Sequence, residues 1–238
     1  MTINHHLEDA TLMAYAAGAL PNALAAVVAA HAALCGRCRA EIAHHERVGA
    51  AMLDGLSGAA LARQPPLPVA DGNGQATAVA VRDAGGVAAA PPTGASGDGA
   101  ATGAGVAAVA GGGLAPLLVR LLGTSLEDVR WRPLAIGVWH RRVPLRGASG
   151  GDLRLIKAGP GRGLPAHGHT GSELTLVLRG DYADVIGTFR TGDVADLDED
   201  INHHPVAGPA GCICLMACER PARFHGLLAR LLAPWHGL

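Results

Sequence analysis

The sequence predicts a multidomain α + β chain: a small N-terminal helical bundle, a Gly/Ala/Pro-rich linker, and a C-terminal all-β sandwich or barrel. Three observations predict it. Residues 1–63 carry apolar side chains at helical spacing. Residues 64–113 contain 12 Gly and 5 Pro and only the charges Asp71, Arg82, Asp83 and Asp98. Residues 114–238 break into short apolar runs separated by Gly, Asp and Pro, the pattern of many short strands. A length of 238 residues suits one large domain or two small ones.

The bundle is read first. Asp9 or Thr11 can cap a helix that carries Leu12, Tyr15, Ala16 and Ala19 and ends at Gly18 and Pro21. Asn22 can cap a second helix with the stripe Leu24, Val27, Val28, His31, Cys35 and Cys38. A third segment runs from about Arg39 to Leu53, with Ile42, His45, Val48 and Met52 on it. Residues 64–113 bury too little to offset their ordering entropy, so they are expected to be a flexible tether that decouples the flanking regions. Beyond them, LAPLLVRLLG reads as a short helix, then VRWRPLAIGVWHRRVPL, LRLIKAG, LTLVLRG, YADVIGTF, DVADL and CICLMAC as strands. Gly150-Gly151-Asp152, Arg179-Gly180-Asp181 and Thr191-Gly192-Asp193 read as turns. An amphipathic segment, ARFHGLLARLLAPW, closes the chain.

Composition excludes some functions. Charged residues are 16% and the net charge is −1, which argues against a nucleic-acid binder working through a basic surface. His5, His6, Glu8 and Asp9 stand where a secretory leader would carry Lys or Arg before an apolar run. Residues 99–119 lack charge but are Gly/Ala-rich and contain Pro116, too weakly apolar for a membrane span. The expected location is therefore the cytoplasm, where cysteines stay reduced. The five cysteines fall in two clusters, which suits metal or redox chemistry better than a disulfide framework.

The first cluster is His31-x3-Cys35-x2-Cys38. On one continuous helix these three side chains fall within about 60° of arc. Imidazole and thiolate are the donors that Zn2+ prefers, and a closed tetrahedral site takes four of them. The fourth donor must come from elsewhere; the His5-His6 pair is the nearby reserve, and either residue can serve.

An N-terminal His, about 25 residues, then HxxxCxxC resembles the zinc-binding anti-sigma domain, and the pieces YAAGAL and HAALCGRC resemble most closely the ChrR-type anti-sigma factors. That family carries a cupin domain at its C-terminus, so the resemblance implies a cupin β-barrel (jelly roll) over residues 114–238. It places the zinc ligands on His6, His31, Cys35 and Cys38.

The second cluster agrees. His167-Gly-His169-x3-Glu173, with Gly180 seven residues on, resembles the first cupin motif. Period 2 sends His167 and His169 to one face of a strand, and Glu173 enters on the next strand after a Thr-Gly-Ser turn. The second motif begins at Gly192-Asp193 and supplies His203 or His204; the family's H-x-P arrangement selects His203, with Pro205 behind it. Three imidazoles and a carboxylate suit Zn2+ or another divalent transition metal. The general cupin pattern has an Asn four residues after that His, where this chain has Ala207. The departure weakens analogy to cupin enzymes.

The resemblance implies a regulator rather than an enzyme. Residues 1–63 sequester an extracytoplasmic-function sigma factor, and the cupin domain senses oxidative stress of the singlet-oxygen type and triggers release. The alternative is a metal-dependent cupin enzyme, a dioxygenase or isomerase, with an accessory zinc domain. Cys212, Cys214 and Cys218 are expected to be small apolar strand residues, with redox activity near the metal as the competing reading. Asp193, Asp196, Asp198, Glu199 and Asp200 are expected to form a solvated acidic loop. Trp131, Trp139 and Trp235 are expected to anchor a core or an interface.

Overall fold

The computed structural model describes residues 2–57, 114–145 and 150–220, and the backbone alone of 68–70, 76–78 and 223–224. The elements are α1 (Asp9–Ala16), α2 (Asn22–Leu34), α3 (Gly36–Asp54), β1 (Pro68–Ala70), β2 (Ala76–Ala78), α4 (Leu114–Leu122), β3 (Arg132–Ala135), β4 (Val138–Arg142), β5 (Asp152–Ala158), β6 (His167–Gly168), β7 (Glu173–Asp184), β8 (Gly187–Arg190), β9 (Val194–Leu197), β10 (Val206–Cys218) and β11 (Arg223–Phe224). Residues 1–51 and 101–238 form one compact unit, and residues 52–100 form a second. Of the second unit, the short antiparallel pair β1–β2 is described. The tether expected over 64–113 otherwise lies outside the described residues, as do Trp235 and most of the C-terminal amphipathic segment.

Seven strands form an antiparallel sheet in the order β3-β4-β5-β10-β7-β8, with β9 also on β7. β9 pairs with the first half of β7 and β8 with the second half. β6 pairs separately with β11, and a bridge from His167 to His203 ties it to the loop before β10. The expected barrel is an open sheet among the described residues, and side chains on one of its faces line a cavity.

Arg179-Gly180-Asp181, expected as a turn, is instead a bulge inside the continuous strand β7. Gly180 has φ +78°, and a Cβ there would lie 2.0 Å from the carbonyl oxygen of Gly211 on β10. Two backbones approach closely at this point, and glycine on both strands permits it.

Alternation along the strands separates two buried faces. Leu153 and Leu155 of β5, Leu174, Leu176 and Leu178 of β7, and Leu215 and Ala217 of β10 join a cluster that includes α2 and α4. Glu173 and Thr175 of β7 and Cys212, Cys214 and Met216 of β10 line the cavity on the opposite face. Both faces of these strands are covered, which is why LTLVL reads as a continuous apolar run rather than an alternating one.

Helix α2 explains the other departure. Its sequence, NALAAVVAAHAAL, holds no Asp, Glu, Lys or Arg, and Ala23, Ala26, Val27, Val28, Ala30 and His31 are all 0% exposed. A helix that is apolar all round needs cover on every side. α1 supplies part of that cover, and the sheet and α4 supply the rest. The helical region therefore packs on the barrel region within one unit, not as the independent body expected from the linker. Among the described residues no single helix is long and apolar enough to cross a membrane.

Trp131 and Trp139 flank Lys157, whose Nζ lies 5.7 and 5.8 Å from their ring centroids, within cation–π range.

Candidate metal centres

The N-terminal cluster is built by a helix break, not by one helix face. Cys35 adopts an extended conformation (φ −101°, ψ 107°), and α2 and α3 meet there at 119°. The donors therefore converge across this bend, not on the single face of a continuous helix that their spacing predicts. Cys35 N–H closes α2 on the His31 carbonyl at 2.8 Å, and Cys35 Sγ accepts a 3.5 Å bond from Cys38 N–H in the first turn of α3. The thiol thus caps α3 in the manner of a Ser or Asp side chain.

His6 arrives on the extended arm before α1. Its Nδ1 lies 3.3 Å from Cys35 Sγ and 3.7 Å from Cys38 Sγ, and His31 Nε2 lies 3.3 Å from Cys38 Sγ. All four donor atoms fall within 4.8 Å of one another. Tetrahedral zinc with ordinary Zn–N and Zn–S bonds separates N and S by about 3.5 Å, so the donor set fits that ion. His31 Nδ1 donates to the Gly192 carbonyl at 3.1 Å, which leaves the Nε2 lone pair facing the cluster. Burial pulls the His31 pKa down to about 4 and lowers that of His6, so both imidazoles are neutral at pH 7. Burial pushes the Cys38 thiol up to about 11, a preference that a divalent ion between two sulfurs inverts.

His5 is turned away from the cluster. Its ring lies 4.3 Å from that of Phe189, and its Nδ1 is 3.3 Å from Asp193. His45 pairs with Asp9 at 2.9 Å and also stands outside the cluster.

The second cluster lies in the cavity of the sheet. His167, His169, Glu173 and His203 are all buried, and their donor atoms also fall within 4.8 Å of one another. His167 Nδ1 donates to the Pro165 carbonyl at 2.8 Å, and His203 Nδ1 donates to Asp184 at 2.6 Å. With those protons placed outward, the two Nε2 lone pairs face each other at 3.0 Å. Two acceptors that close repel unless a cation sits between them, which is the chemistry expected of a metal site. His169 Nε2 lies 2.9 Å from His203 Nε2, and His169 Nδ1 lies 3.4 Å from Glu173 Oε2. His204 is exposed and directs its backbone N–H to Asp184 at 3.1 Å.

Around Glu173, Thr175 Oγ1 donates to Oε1 at 3.1 Å and Cys218 Sγ donates to Oε2 at 3.2 Å. Burial and the adjacent Glu173 carboxylate push the Cys218 thiol well up. Cys212 and Cys214 hold their sulfurs 3.1 Å apart, and the bond between them, with burial, raises Cys214 well above its ordinary value. Protonated buried thiols are poor nucleophiles, so Cys214 and Cys218 behave as packing groups in this state.

Sequence reasoning missed Asp184, Gly192 and Asp193. Asp193 departs from the solvated acidic run expected of it, which Asp198, Glu199 and Asp200 do form. Asp193 itself is 1% exposed. Burial raises its carboxyl pKa, but hydrogen bonds from the N–H groups of Arg190, Asn4 and His5 outweigh that and hold it below its usual value. The only available signal was its place after Gly192 in the second motif.

Asp184 gives a direct test. Asp184→Ala removes the acceptor that orients His203, and outer partners of this kind are worth about 10–100-fold in metal affinity. A loss of that size is expected in chelator competition with the full chain, and a smaller one for Asp184→Asn, which keeps an acceptor oxygen. Unchanged affinity in both variants means that His203 is oriented by other contacts.

Comparison with known proteins follows the same division. A model of the ChrR cupin-like domain matches residues 120–222, which include the whole second cluster, and a zinc-finger model matches residues 9–39. The crystal structure of Rhodobacter sphaeroides SigE in complex with the anti-sigma ChrR contains a chain that is 33% identical, with TM-score 0.63, covering 91% of this chain and 100% of that one. The anti-sigma-E factor ChrR of Cereibacter sphaeroides is 37% identical over 236 residues, 99% of each chain. With similarity of that extent across both metal clusters, the chain belongs to the ChrR family of anti-sigma factors.

Proposed function

We propose that this chain sequesters an extracytoplasmic-function sigma factor in the cytoplasm and releases it under oxidative stress of the singlet-oxygen type. Residues 1–63 are the sigma-binding module, with Zn2+ held by His6, His31, Cys35 and Cys38. Residues 114–238 are the sensing module, with a divalent transition metal held by His167, His169, Glu173 and His203. The observation that carries the reading is the pair of four-donor clusters in a chain whose relative, similar over its full length, is an anti-sigma factor. Met13 on α1 and Val48 and Met52 on α3 are exposed apolar side chains, available to a helical partner surface.

The two clusters favour different coordination geometries, with Zn2+ or another divalent transition metal at the second. N···S distances of 3.3 and 3.7 Å suit a closed tetrahedron. The 2.9 and 3.0 Å N···N distances suit neighbouring positions near 90°, since two donors at about 2.1 Å from an ion then stand about 3.0 Å apart. Such a site has room for further ligands, including water. Metal there serves sensing, and the chain turns over no substrate in this reading.

The test is transcription in a purified system. The full chain is expected to inhibit RNA polymerase programmed with its cognate extracytoplasmic-function sigma factor, at near-stoichiometric ratios. It is expected to leave transcription by the housekeeping sigma unchanged. Equal inhibition of both, or of neither, overturns the assignment.

A further inference from the structure

We propose that the β8–β9 turn, Gly192 and Asp193, is an outer-sphere part of the N-terminal metal centre, so that the barrel region completes a site whose ligands all lie on the helical region. The proposal rests on the reading of His6, His31, Cys35 and Cys38 as zinc ligands.

Two contacts carry it. The Gly192 carbonyl accepts His31 Nδ1–H at 3.1 Å, across 161 residues of sequence, and both partners are fully buried. That bond fixes which imidazole nitrogen faces the ion. Asp193, 1% exposed, accepts the backbone N–H of Asn4 at 2.7 Å and of His5 at 3.2 Å, and its Oδ2 also accepts from Arg190 N–H at 2.9 Å. The carboxylate therefore pins the arm that presents His6 to the turn that orients His31.

The arm continues along the same strand. Val194 N–H donates to the His5 carbonyl at 3.4 Å, and Glu8 N–H donates to Asp196 at 3.0 Å. β9 also pairs with β7, where Leu197 stands opposite Glu173. One four-residue strand thus touches the His6 arm at its start and a donor of the second cluster at its end. A rearrangement around Glu173 has a short route to the His6 arm, through strand pairing with β9 and the hydrogen bonds that β9 makes to the arm. This geometry exists only while the helical region is seated on the sheet, so the chemistry of the two regions is not isolated.

The experiment uses the full-length chain and Co2+, whose thiolate-to-metal charge-transfer band reports the site that contains Cys35 and Cys38. Asp193→Ala removes the acceptor. Asn4→Pro removes one donor from outside every helix and strand, so the sheet is left intact. Asp198→Ala removes an equal charge from an exposed position at the other end of β9. We expect Co2+ and competing Zn2+ to bind about 10–100-fold more weakly in Asp193→Ala and Asn4→Pro, the range typical of lost outer partners, and unchanged in Asp198→Ala. Amide exchange at Asn4 and His5 is expected to quicken in Asp193→Ala with metal still bound. Wild-type affinity in both arm variants overturns the proposal. So does an equal loss in Asp198→Ala, which would make the effect one of net charge. If wild type gives no thiolate band at all, the ligand assignment fails first, and the proposal fails with it.

Discussion

Replacing Cys38 by serine is expected to remove the N-terminal zinc and, with it, sigma inhibition. The physical basis is how little else holds α1 and α3. α1 buries one side chain, Leu12, and α3 buries only Cys38 and Ile42. At roughly 1.5–3 kcal/mol for each fully buried large apolar side chain, that is not enough to order two helices. A structural zinc in a small domain supplies about 10–16 kcal/mol of apparent binding free energy, which becomes folding free energy there. The loss is not expected to spread to the whole helical region, because α2 has a second support in the sheet and α4. The variant should keep the sheet and α2, and the hydrogen bonds that hold the arm on Asp193 and Asp196, while α1 and α3 lose order. Metal counted per chain should fall by one, and co-purification with the sigma factor should drop to background. Cys35→Ser should behave alike and should also lose the cap on α3. Sigma binding that persists with the zinc gone would separate the ion from the interface and refute the modular reading.

The helical region shows where sequence is informative and where it misleads. His31, Cys35 and Cys38 were readable as donors from residue type and spacing. The reason they converge was not, because the same spacing is compatible with a continuous helix and with a break at Cys35. Short spacings constrain which side chains meet more than they constrain the backbone that brings them together. α2 carried a further signal in its lack of charge, which implies cover on every side, but a stripe read at helical period hides it. In the barrel, His167, His169 and Glu173 were readable because strand period and a tight turn are local. Asp184, Gly192 and Asp193 were not, because they act through a carboxylate or a carbonyl whose partner lies far along the chain. His31 and Gly192 are 161 positions apart, and no local pattern encodes such a pair.

Removing one donor from the second cluster is expected to blunt induction while repression survives. Glu173→Ala and His203→Ala each leave three of the four donors found together in this cavity. Their metal affinity should fall by more than the roughly 100-fold that an outer partner commands. His204 is not a ready substitute, since it is exposed and its backbone is held on Asp184. The four N-terminal donors lie on the helical region, and none is lost in these variants, so the sigma factor should remain bound in unstressed cells. Sensing is what should disappear: with no ion at the cavity, the signal has no site at which to alter the ligands and, through β9, the arm. Glu173→Ala is the more demanding of the two, because Leu197 on β9 stands directly opposite it. A sigma-dependent reporter, measured with and without a photosensitiser under light, separates the outcomes. The expected result is low, flat expression in both variants against strong induction in wild type. High expression in the dark would mean that the ion itself holds the repressed state, reversing the direction argued here. Wild-type induction in both would remove the second metal from sensing altogether.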